Sequence, residues 1–249
     1  GQRVRDLPAL RGPLVLPPGS GEAGALTLDG VGLDALVLPA EGWRDITLTE
    51  APNLASVRIT GQGTLAYLNA KAVGLTQLEA SAGLTRIGAI SLEATELSRL
   101  TLAQVSVGSV RLTQNARLTE ARWAHEAGEL IVAGSPALEV LDPSAPARLS
   151  RLELRGLGLA ELDWPWLTSV ESSPVFADLP ALERLALPNA AYYFGLHYIP
   201  MVSDWYFRCD GPVLTNTPRL THVDLGGARC GSITAPAVTF ARLGNSAGW

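Results

Sequence analysis

The sequence predicts a mainly β fold, namely a single right-handed β-solenoid with turns of about 21 residues and irregular N- and C-terminal caps. Two observations predict this fold. Two apolar patterns recur along the chain with this one period. The segments between them are, in most turns, too short and too rich in Gly, Pro, Asn and Ala to form a full helix. The chain of 249 residues is 47% hydrophobic, which excludes general disorder.

The first pattern is apolar-x-x-apolar-x-apolar, as in Leu33, Leu36 and Leu38. Its copies begin one period apart as far as Leu182, whereas the last interval, from Leu182 to Leu220, is nearly two periods long. The alternation is typical of a short half-buried strand. The long last interval predicts a degenerate turn that begins near Ile199. The copies begin at Leu33, Leu54, Leu75, Leu97, Leu118, Leu138, Leu159, Leu182 and Leu220.

The second pattern is apolar-x-apolar and lies between copies of the first. Its copies recur at the same interval, so both patterns share one period. Two strands per turn are therefore expected, each stacked on its counterparts in neighbouring turns. The pairs are Leu26/Leu28, Ile46/Leu48, Leu68/Ala70, Ile90/Leu92, Val110/Leu112, Leu130/Val132 and Leu152/Leu154.

The repeat divides the chain into four segments of one domain. Residues 1–23 are predicted to form an N-terminal cap, and residues 24–189 the regular repeat solenoid. Residues 190–213 form an aromatic-rich irregular turn or insertion, and residues 214–249 hold the last repeat and the C-terminal cap. Because an uncapped solenoid end is an unpaired strand edge, two caps favour a discrete monomer.

Several turns resemble the leucine-rich-repeat superfamily. Residues 216–225 read NTPRLTHVDL, residues 51–59 read APNLASVRI, and residues 135–141 read SPALEVL. The resemblance is greatest to irregular bacterial leucine-rich-repeat and receptor-L-domain-like solenoids, and it covers about residues 24 to 230. It implies a fold of leucine-rich-repeat-like turns and the binding of a partner through the strand face. Asn189 occupies the usual place of the family's Asn ladder, but most turns lack it.

Charged residues flank the middle apolar position of the first pattern and are expected to point outward. Opposite charges fall at matching positions of neighbouring turns, within reach across stacked strands. A polar recognition face is one interpretation, and a solvated sheet with alternating charge is the other. We call this set the charge ladder, and it comprises Arg58, Glu79, Arg99, Glu120, Arg122, Asp142, Glu161, Asp163 and Arg184.

Aromatic residues gather where the repeat interval changes. Rings of this kind fill the core of an irregular turn, or they form a recognition surface, since Tyr and Trp are enriched at binding hot spots. The candidate partner-binding residues are Tyr192, Tyr193, Phe194, Tyr198, Trp205, Tyr206 and Phe207.

Cys209 and Cys230 are separated by one repeat period. If they occupy corresponding points of successive stacked turns, their Cα atoms lie about 5 Å apart, within the range that a disulfide needs. The spacing predicts a cross-turn disulfide, with two reduced core thiols as the alternative. A disulfide would indicate an oxidising compartment.

Charge and composition argue against several functional classes. A formal net charge of −5 disfavours a basic nucleic-acid-binding surface. No apolar run is long enough for a transmembrane segment. The sequence has no cluster of residues with metal-ligand spacing, so neither a metal site nor a cofactor is predicted. It contains only two cysteines and three histidines, which are His125 in a predicted loop, His197 and His222.

The sequence also offers little for catalysis. No nucleophile-elbow or phosphate-binding motif is present, and no catalytic residues are predicted. Asp142 and Asp163 occupy matching ladder positions, with Glu161 nearby, and could form an acid–base pair. Arg122 and Arg184 lie close enough in the pattern to neutralise them.

The sequence therefore favours a non-enzymatic binding or scaffold protein of the bacterial cell envelope or surface that recognises a protein or glycan partner. A structural subunit of a larger extracellular or envelope assembly is the alternative, and a carbohydrate-active β-helical enzyme is a minor one. The expected location is extracellular, at the cell surface or periplasmic, and peripheral or lipid-anchored membrane association stays open.

Overall fold

The computed structural model describes residues 1–18, 24–126, 128–144, 148–192, 194–199, 204–209, 211–226, 232–234 and 236–242. Within these ranges every regular element is a strand and there is no helix. The strands are β1 Gln2–Leu7, β2 Pro13–Val15, β3 Gly24–Val31, β4 Ala35–Pro39, β5 Trp43–Thr49, β6 Ser56–Thr60, β7 Gly63–Lys71, β8 Gln77–Ala80, β9 Leu84–Glu93, β10 Arg99–Thr113, β11 Glu120–His125, β12 Glu129–Ser135, β13 Val140–Ser144, β14 Arg148–Leu149, β15 Arg151–Leu157, β16 Glu161–Asp163, β17 Ser169–Val170, β18 Val175–Ala177, β19 Arg184–Ala186, β20 Ala191–Tyr192, β21 Phe194–Ile199, β22 Asp204–Cys209, β23 Val213–Thr215, β24 His222–Asp224, β25 Ser232–Ile233 and β26 Phe240–Arg242.

The chain divides into two compact units. Unit 1 comprises Gly1–Glu126 and Gly134–Ser144, and unit 2 comprises Ala127–Ala133 and Ala145–Trp249.

Unit 1 is built from parallel sheets of stacked turns. One sheet has the order β1-β3-β5-β7-β9-β10, and another has the order β2-β4-β6-β8. Partners such as Ala35 and Ser56, or Ile46 and Leu68, lie one turn apart in sequence. The predicted β-solenoid with turns of about 21 residues is confirmed.

Residues predicted as the N-terminal cap also form stacked strands. Val4 of β1 pairs with Leu28, and Leu14 of β2 pairs with Leu36. The parallel pairing of unit 1 thus includes residues 2–7 and 13–15.

Unit 2 repeats the arrangement with shorter strands. Its parallel sheets include β15-β18-β23-β25, β14-β17-β20 and β16-β19-β24-β26. Strands β21 and β22 pair with each other in antiparallel orientation, apart from these sheets.

The two apolar patterns supply the core of each unit. Every residue that begins a copy of the first pattern is buried, and so is every residue of the second pattern. Leu36, Ile46 and Leu154, for example, have no exposed surface. Burying a leucine or isoleucine side chain contributes about 1.5–3 kcal/mol before the entropy of ordering is subtracted. Stacked apolar residues therefore hold each turn to the next.

A residue in the left-handed backbone conformation, with a positive φ, recurs at the corner that follows each strand of the second pattern. Seven non-glycine residues of the described chain have a positive φ of 49° to 57° and three glycines share this conformation at the same corner, although it is sterically unfavourable for most L-residues. This row comprises Asp6, Gly30, Glu50, Ala72, Ala94, Gln114, Gly134, Gly156, Asp178 and Asn216.

A tight turn follows the row at several corners. The N–H of Leu118 donates to the carbonyl of Asn115, and the N–H groups of Leu138 and Leu220 make the equivalent bonds to Ser135 and Thr217. These i to i+3 bonds reverse the chain in a few residues, which is why the connectors need no helix.

The predicted degenerate turn near Ile199 is wrong. Val175 pairs with Val213 and Arg184 pairs with His222, so these parallel strands remain neighbours across the long interval. The antiparallel hairpin of β21 and β22, Phe194–Cys209, occupies the interval instead. Without the hairpin, the sequence separation between these register partners would be about one period, as in the other turns. The irregularity is a hairpin inserted into one turn rather than an additional turn.

Candidate functional site

The unit 1 part of the charge ladder forms ion pairs across stacked strands. Arg58 and Glu79 are register partners, and Arg58 Nε lies 2.8 Å from Glu79 Oε2. Arg99 and Glu120 are likewise partners, with 2.9 Å between Arg99 Nε and Glu120 Oε2. The register follows from the shared period of the two turns.

Arg122 connects two strands of the same ladder. Its Nε lies 2.5 Å from Glu120 Oε1, and its Nη1 lies 3.0 Å from Asp142 Oδ2. The hydrogen bond from Arg122, with the positive charge of Arg99, lowers the pKa of the Glu120 carboxyl despite some desolvation. A carboxylate between two guanidinium groups stays ionised at neutral pH.

The unit 2 part of the charge ladder is more loosely paired. Glu161 is the register partner of Arg184, as predicted, but Arg184 Nη2 makes its ion pair with Asp163 Oδ2, at 3.7 Å. His222 follows in register and stacks on Phe240, with ring centroids 4.5 Å apart.

The two carboxylates that could in principle act as an acid–base pair fall in different units. Asp142 belongs to unit 1 and Asp163 to unit 2, and each carboxylate lies beside an arginine. Among the residues that the structure describes, no group of three or more His, Cys, Asp or Glu side chains could hold a metal ion.

The aromatic candidates fall on the hairpin and beside it. Tyr198 pairs with Trp205, His197 with Tyr206, and Leu196 with Phe207. The backbone register therefore places several aromatic residues on two adjacent strands. Tyr193 lies outside the described residues, as do the side chains of Tyr192, Phe194, Tyr198, Trp205, Tyr206 and Phe207.

The backbone of Cys209 ends the hairpin, opposite Phe194. The Cys209 side chain and all of Cys230 lie outside the described residues. The stacking premise for a disulfide is wrong at Cys209, because β22 pairs antiparallel with β21 and is not a strand of the parallel stack. The bond itself stays a prediction.

His125 lies at the end of β11, not in a loop as the sequence suggested. It is only 6% exposed, and the Trp123 Nε1–H donates to its Nδ1 at 2.9 Å. Burial lowers its pKa to about 4, although the nearby Glu126 charge acts in the opposite direction. The imidazole is therefore neutral at pH 7 and is a packed core group.

Unit 1 also contains a cavity that the sequence did not indicate. Its volume is about 440 Å³, within the usual range of small-molecule sites. It lies between the corner that leads into β5 and the start of β7, with Arg86 of β9 at one side. Its lining residues are Ala40, Glu41, Gly42, Trp43, Arg44, Gln62, Gly63, Thr64, Leu65, Ala66 and Arg86.

One wall of the cavity is fixed by polar contacts. The carboxylate of Glu41 accepts a hydrogen bond from the backbone N–H of Gln62, which lowers the pKa of that carboxyl. Arg86 donates through Nε and Nη2 to both oxygens of Glu126. Ser106 donates to the same carboxylate at 2.8 Å. These bonds hold the loop and the Arg86 guanidinium in place.

The described part of the chain contains no helix long and apolar enough to cross a membrane.

Comparison with known proteins does not extend this description. The chain matches no protein-family model, no curated protein and no solved structure among those searched.

Proposed function

We propose that this chain is a non-enzymatic binding or scaffold protein of the bacterial cell envelope or surface, and that it recognises a protein or glycan partner. The observation behind the proposal is the charge ladder of unit 1. Arg58, Glu79, Arg99, Glu120 and Arg122 stand on parallel strands whose register is fixed by buried residues.

A ladder of this kind suits recognition because its geometry is rigid and its side chains remain accessible. The side chains of Arg58, Arg99 and Arg122 are 61%, 68% and 46% exposed. Exposed ion pairs contribute only about 0–1 kcal/mol each to stability, so a partner can exchange them for contacts of its own at little cost. Complementary charge would then give specificity and a fast association rate.

The hairpin of β21 and β22 is the second proposed contact region, in unit 2. It places Tyr198, Trp205, Tyr206 and Phe207 within two short strands outside the parallel sheets. Tyr and Trp rings contribute large contact area with few rotatable bonds, which is why they dominate many binding hot spots.

A charge reversal tests the proposal with a closely matched control. Arg122 and Arg155 are 46% and 44% exposed, and each donates from Nε to a glutamate two residues earlier. Cosedimentation of the purified chain with bacterial envelope fractions would be measured for Arg122→Glu and Arg155→Glu. Only Arg122 belongs to the charge ladder, so we expect Arg122→Glu to weaken binding at least tenfold and Arg155→Glu to leave it unchanged.

The hairpin forms a separate arm of the same assay. Tyr193→Ala with Trp205→Ala should abolish binding while the melting temperature stays unchanged if these rings contact the partner. A large fall in melting temperature would instead assign the rings to the core of the irregular turn. Envelope binding that is absent in the natural chain, or unaffected by both sets of variants, would contradict the proposed function.

Export to an oxidising compartment is part of the proposal, and so is a disulfide between Cys209 and Cys230. Low charge, few lysines and the resemblance to receptor-L-domain-like solenoids support this location. Mass spectrometry of the alkylated protein under non-reducing conditions would detect the bond as a loss of two hydrogens and no alkyl groups. Two alkylated thiols in the native protein would contradict the disulfide.

A structural subunit of a larger assembly is the second candidate, and the β1–β2 end of unit 1 favours it. Strand β1 pairs with β3 and with no other described strand. Leu7, Leu10 and Val15 are 47%, 39% and 66% exposed. Light scattering after size-exclusion chromatography should show concentration-dependent oligomers that Val15→Asp disperses. A monomer at all concentrations would contradict the assembly role, and the binding role would be the remaining candidate.

A further inference from the structure

The cavity of unit 1 contains an arginine that the fold itself does not use. Arg44 is exposed, and its guanidinium makes no hydrogen bond or ion pair with the residues that the structure describes. Most other arginines of the described chain are paired, as Arg58 is with Glu79 and Arg117 with Glu96. A guanidinium left without a partner in a concave site is available to a ligand anion.

A β-bulge places Arg44 at this site. Gly24 pairs with Trp43, whereas the next residue, Ala25, pairs with Asp45, so Arg44 is the additional residue of β5. A bulge redirects the side chain of the inserted residue and recurs next to functional sites. The neighbouring strands contain a second shift, where Gly63 pairs with Leu84 and Thr64 with Arg86. The two irregularities border the same cavity.

Gly63, one of the lining residues, borders open space at the cavity. Gly63 has a φ of +120°, and a Cβ atom built there would have no neighbour within 4 Å. The backbone therefore borders empty space at this point and can approach a ligand closely.

The other polar groups of the lining complement a hydroxylated, negatively charged molecule. The side chains of Gln62 and Thr64 form no hydrogen bonds with the described part of the chain, so an amide and a hydroxyl are free to bind. Arg86 uses Nε and Nη2 for Glu126, which leaves its Nη1 donors without a described partner. The lining has two guanidinium groups and one carboxylate, Glu41, which already accepts from the Gln62 N–H.

We propose that this cavity binds an acidic saccharide, a sugar that bears a carboxylate, with the carboxylate on Arg44 and the hydroxyl groups on Gln62 and Thr64. The volume of about 440 Å³ accommodates one or two sugar rings. This site is distinct from the charge ladder and does not depend on the function proposed above.

Titration with matched sugars tests the proposal. Digalacturonic acid and its neutral counterpart galactobiose would be titrated into the full-length chain and followed by calorimetry and by NMR of the labelled protein. We expect saturable binding of the acidic disaccharide and binding at least tenfold weaker for the neutral one, since an arginine–carboxylate pair accounts for about that ratio.

Variants then locate the binding. Arg44→Ala should weaken binding of the acid about tenfold or more, and Thr64→Val should weaken it to a smaller extent. Arg148→Ala is the control, because Arg148 is exposed in unit 2 and is likewise without a described partner. It removes the same charge elsewhere, and we expect it to bind normally. Since the Arg44 side chain is exposed, circular dichroism of Arg44→Ala should show unchanged melting.

Four results would overturn the proposal: no saturation at millimolar digalacturonic acid, equal binding of the two sugars, equal loss in Arg44→Ala and Arg148→Ala, or tighter binding of a triglutamate peptide than of the acidic sugar. None of these results alters the envelope-binding assay, which depends on Arg122 and the hairpin. The two proposals therefore fail independently.

Discussion

Asn115 is a buried polar side chain in the core of unit 1, and its hydrogen bonds explain why the core accepts it. Its Oδ1 accepts from the backbone N–H and the hydroxyl of Thr95, at 3.0 and 2.7 Å, and its Nδ2 donates to the carbonyl of Leu92 at 2.9 Å. A buried amide with three partners links neighbouring turns, because Thr95 lies one turn earlier in the chain.

Replacing this amide should therefore be costly. Asn115→Ala removes the acceptor of the buried Thr95 N–H and hydroxyl, so we expect the free energy of unfolding to fall by about 2–4 kcal/mol. Asn189→Ala is the control, because Asn189 is exposed and makes a single described side-chain bond, to the Pro165 carbonyl. Urea unfolding of both variants measures the difference, and equal losses would contradict the role of Asn115.

His125 gives the fold a pH dependence of defined sign. Its pKa in the folded chain is about 4, below the 6.5 of an unperturbed imidazole, so the unfolded chain binds the proton more strongly. The stabilisation is complete above about pH 6.5 and is lost as the pH falls towards 4. Between pH 7.5 and 5.0 we expect a loss of about 2 kcal/mol.

Urea unfolding at these two pH values measures the effect. His125→Gln removes the titrating group, so its unfolding free energy should change less between the two pH values than that of the natural chain. His197 and His222 remain in both proteins and cancel in the comparison. An equal pH dependence in both proteins would contradict the role of the buried imidazole.

At the scale of a strand and its corner, Gly74 and Gly134 are glycines for different reasons, and replacing each by alanine would destabilise the fold through a different cause. A Cβ at Gly74 would lie 1.9 Å from the carbonyl oxygen of Pro52, one turn earlier, so the neighbouring backbone would have to move. Gly134 belongs to the left-handed row, with a φ of +65°, but a Cβ there would meet nothing closer than 3.4 Å. Alanine would clash at Gly74 and only strain the backbone at Gly134.

We therefore expect Gly74→Ala to lower the unfolding free energy by about 3 kcal/mol and Gly134→Ala by about 1 kcal/mol. Thermal and urea unfolding of the two variants give the comparison. A Gly74→Ala protein as stable as the natural chain would show that the turns can separate locally at no cost.

The same corners show why alternation in the sequence was sufficient for the strands but not for the turns. The strands follow from which side chains are buried, and the spacing of apolar residues along the sequence shows this directly. The left-handed row depends on the closure of each turn, and Glu50, Ala72, Ala94 and Gln114 adopt it without a shared residue type. The types that adopt this conformation most readily occupy part of the row, at Asp6, Gly30, Gly134, Gly156, Asp178 and Asn216, whereas the other four positions show no sequence signal.

At the scale of the whole molecule, each of the two units is stabilised by the packing of one turn on the next and not by one central core. The hairpin of β21 and β22 is outside this scheme, since β18 pairs with β23 and β19 with β24 around it. Deletion of Phe194–Cys209 restores the ordinary interval between stacked turns. We expect the shortened chain to keep its β circular dichroism and to melt within about 5 °C of the natural chain.

A deletion of equal length within the stack is the control. Removing Thr47–Gln62 takes out part of β5 and all of β6 with their buried residues, and this chain should not fold. Loss of folding in the hairpin deletion as well would show that the hairpin is part of the core. It would then be excluded as a separate recognition element.

The sequence by itself determined the parallel stacking of turns and the register of the charge ladder, because period and burial follow from the spacing of residues such as Leu36, Ile46 and Leu154. Arg58 meets Glu79 since one period separates them. Only the tertiary structure decided the inserted hairpin, the buried His125 and the cavity beside Arg44. Each of these depends on a local departure from the repeat, whether an antiparallel pairing, a strand that extends into a predicted loop or a bulge. The long interval between Leu182 and Leu220 showed where the repeat is interrupted, but the spacing alone does not say how the inserted residues pair.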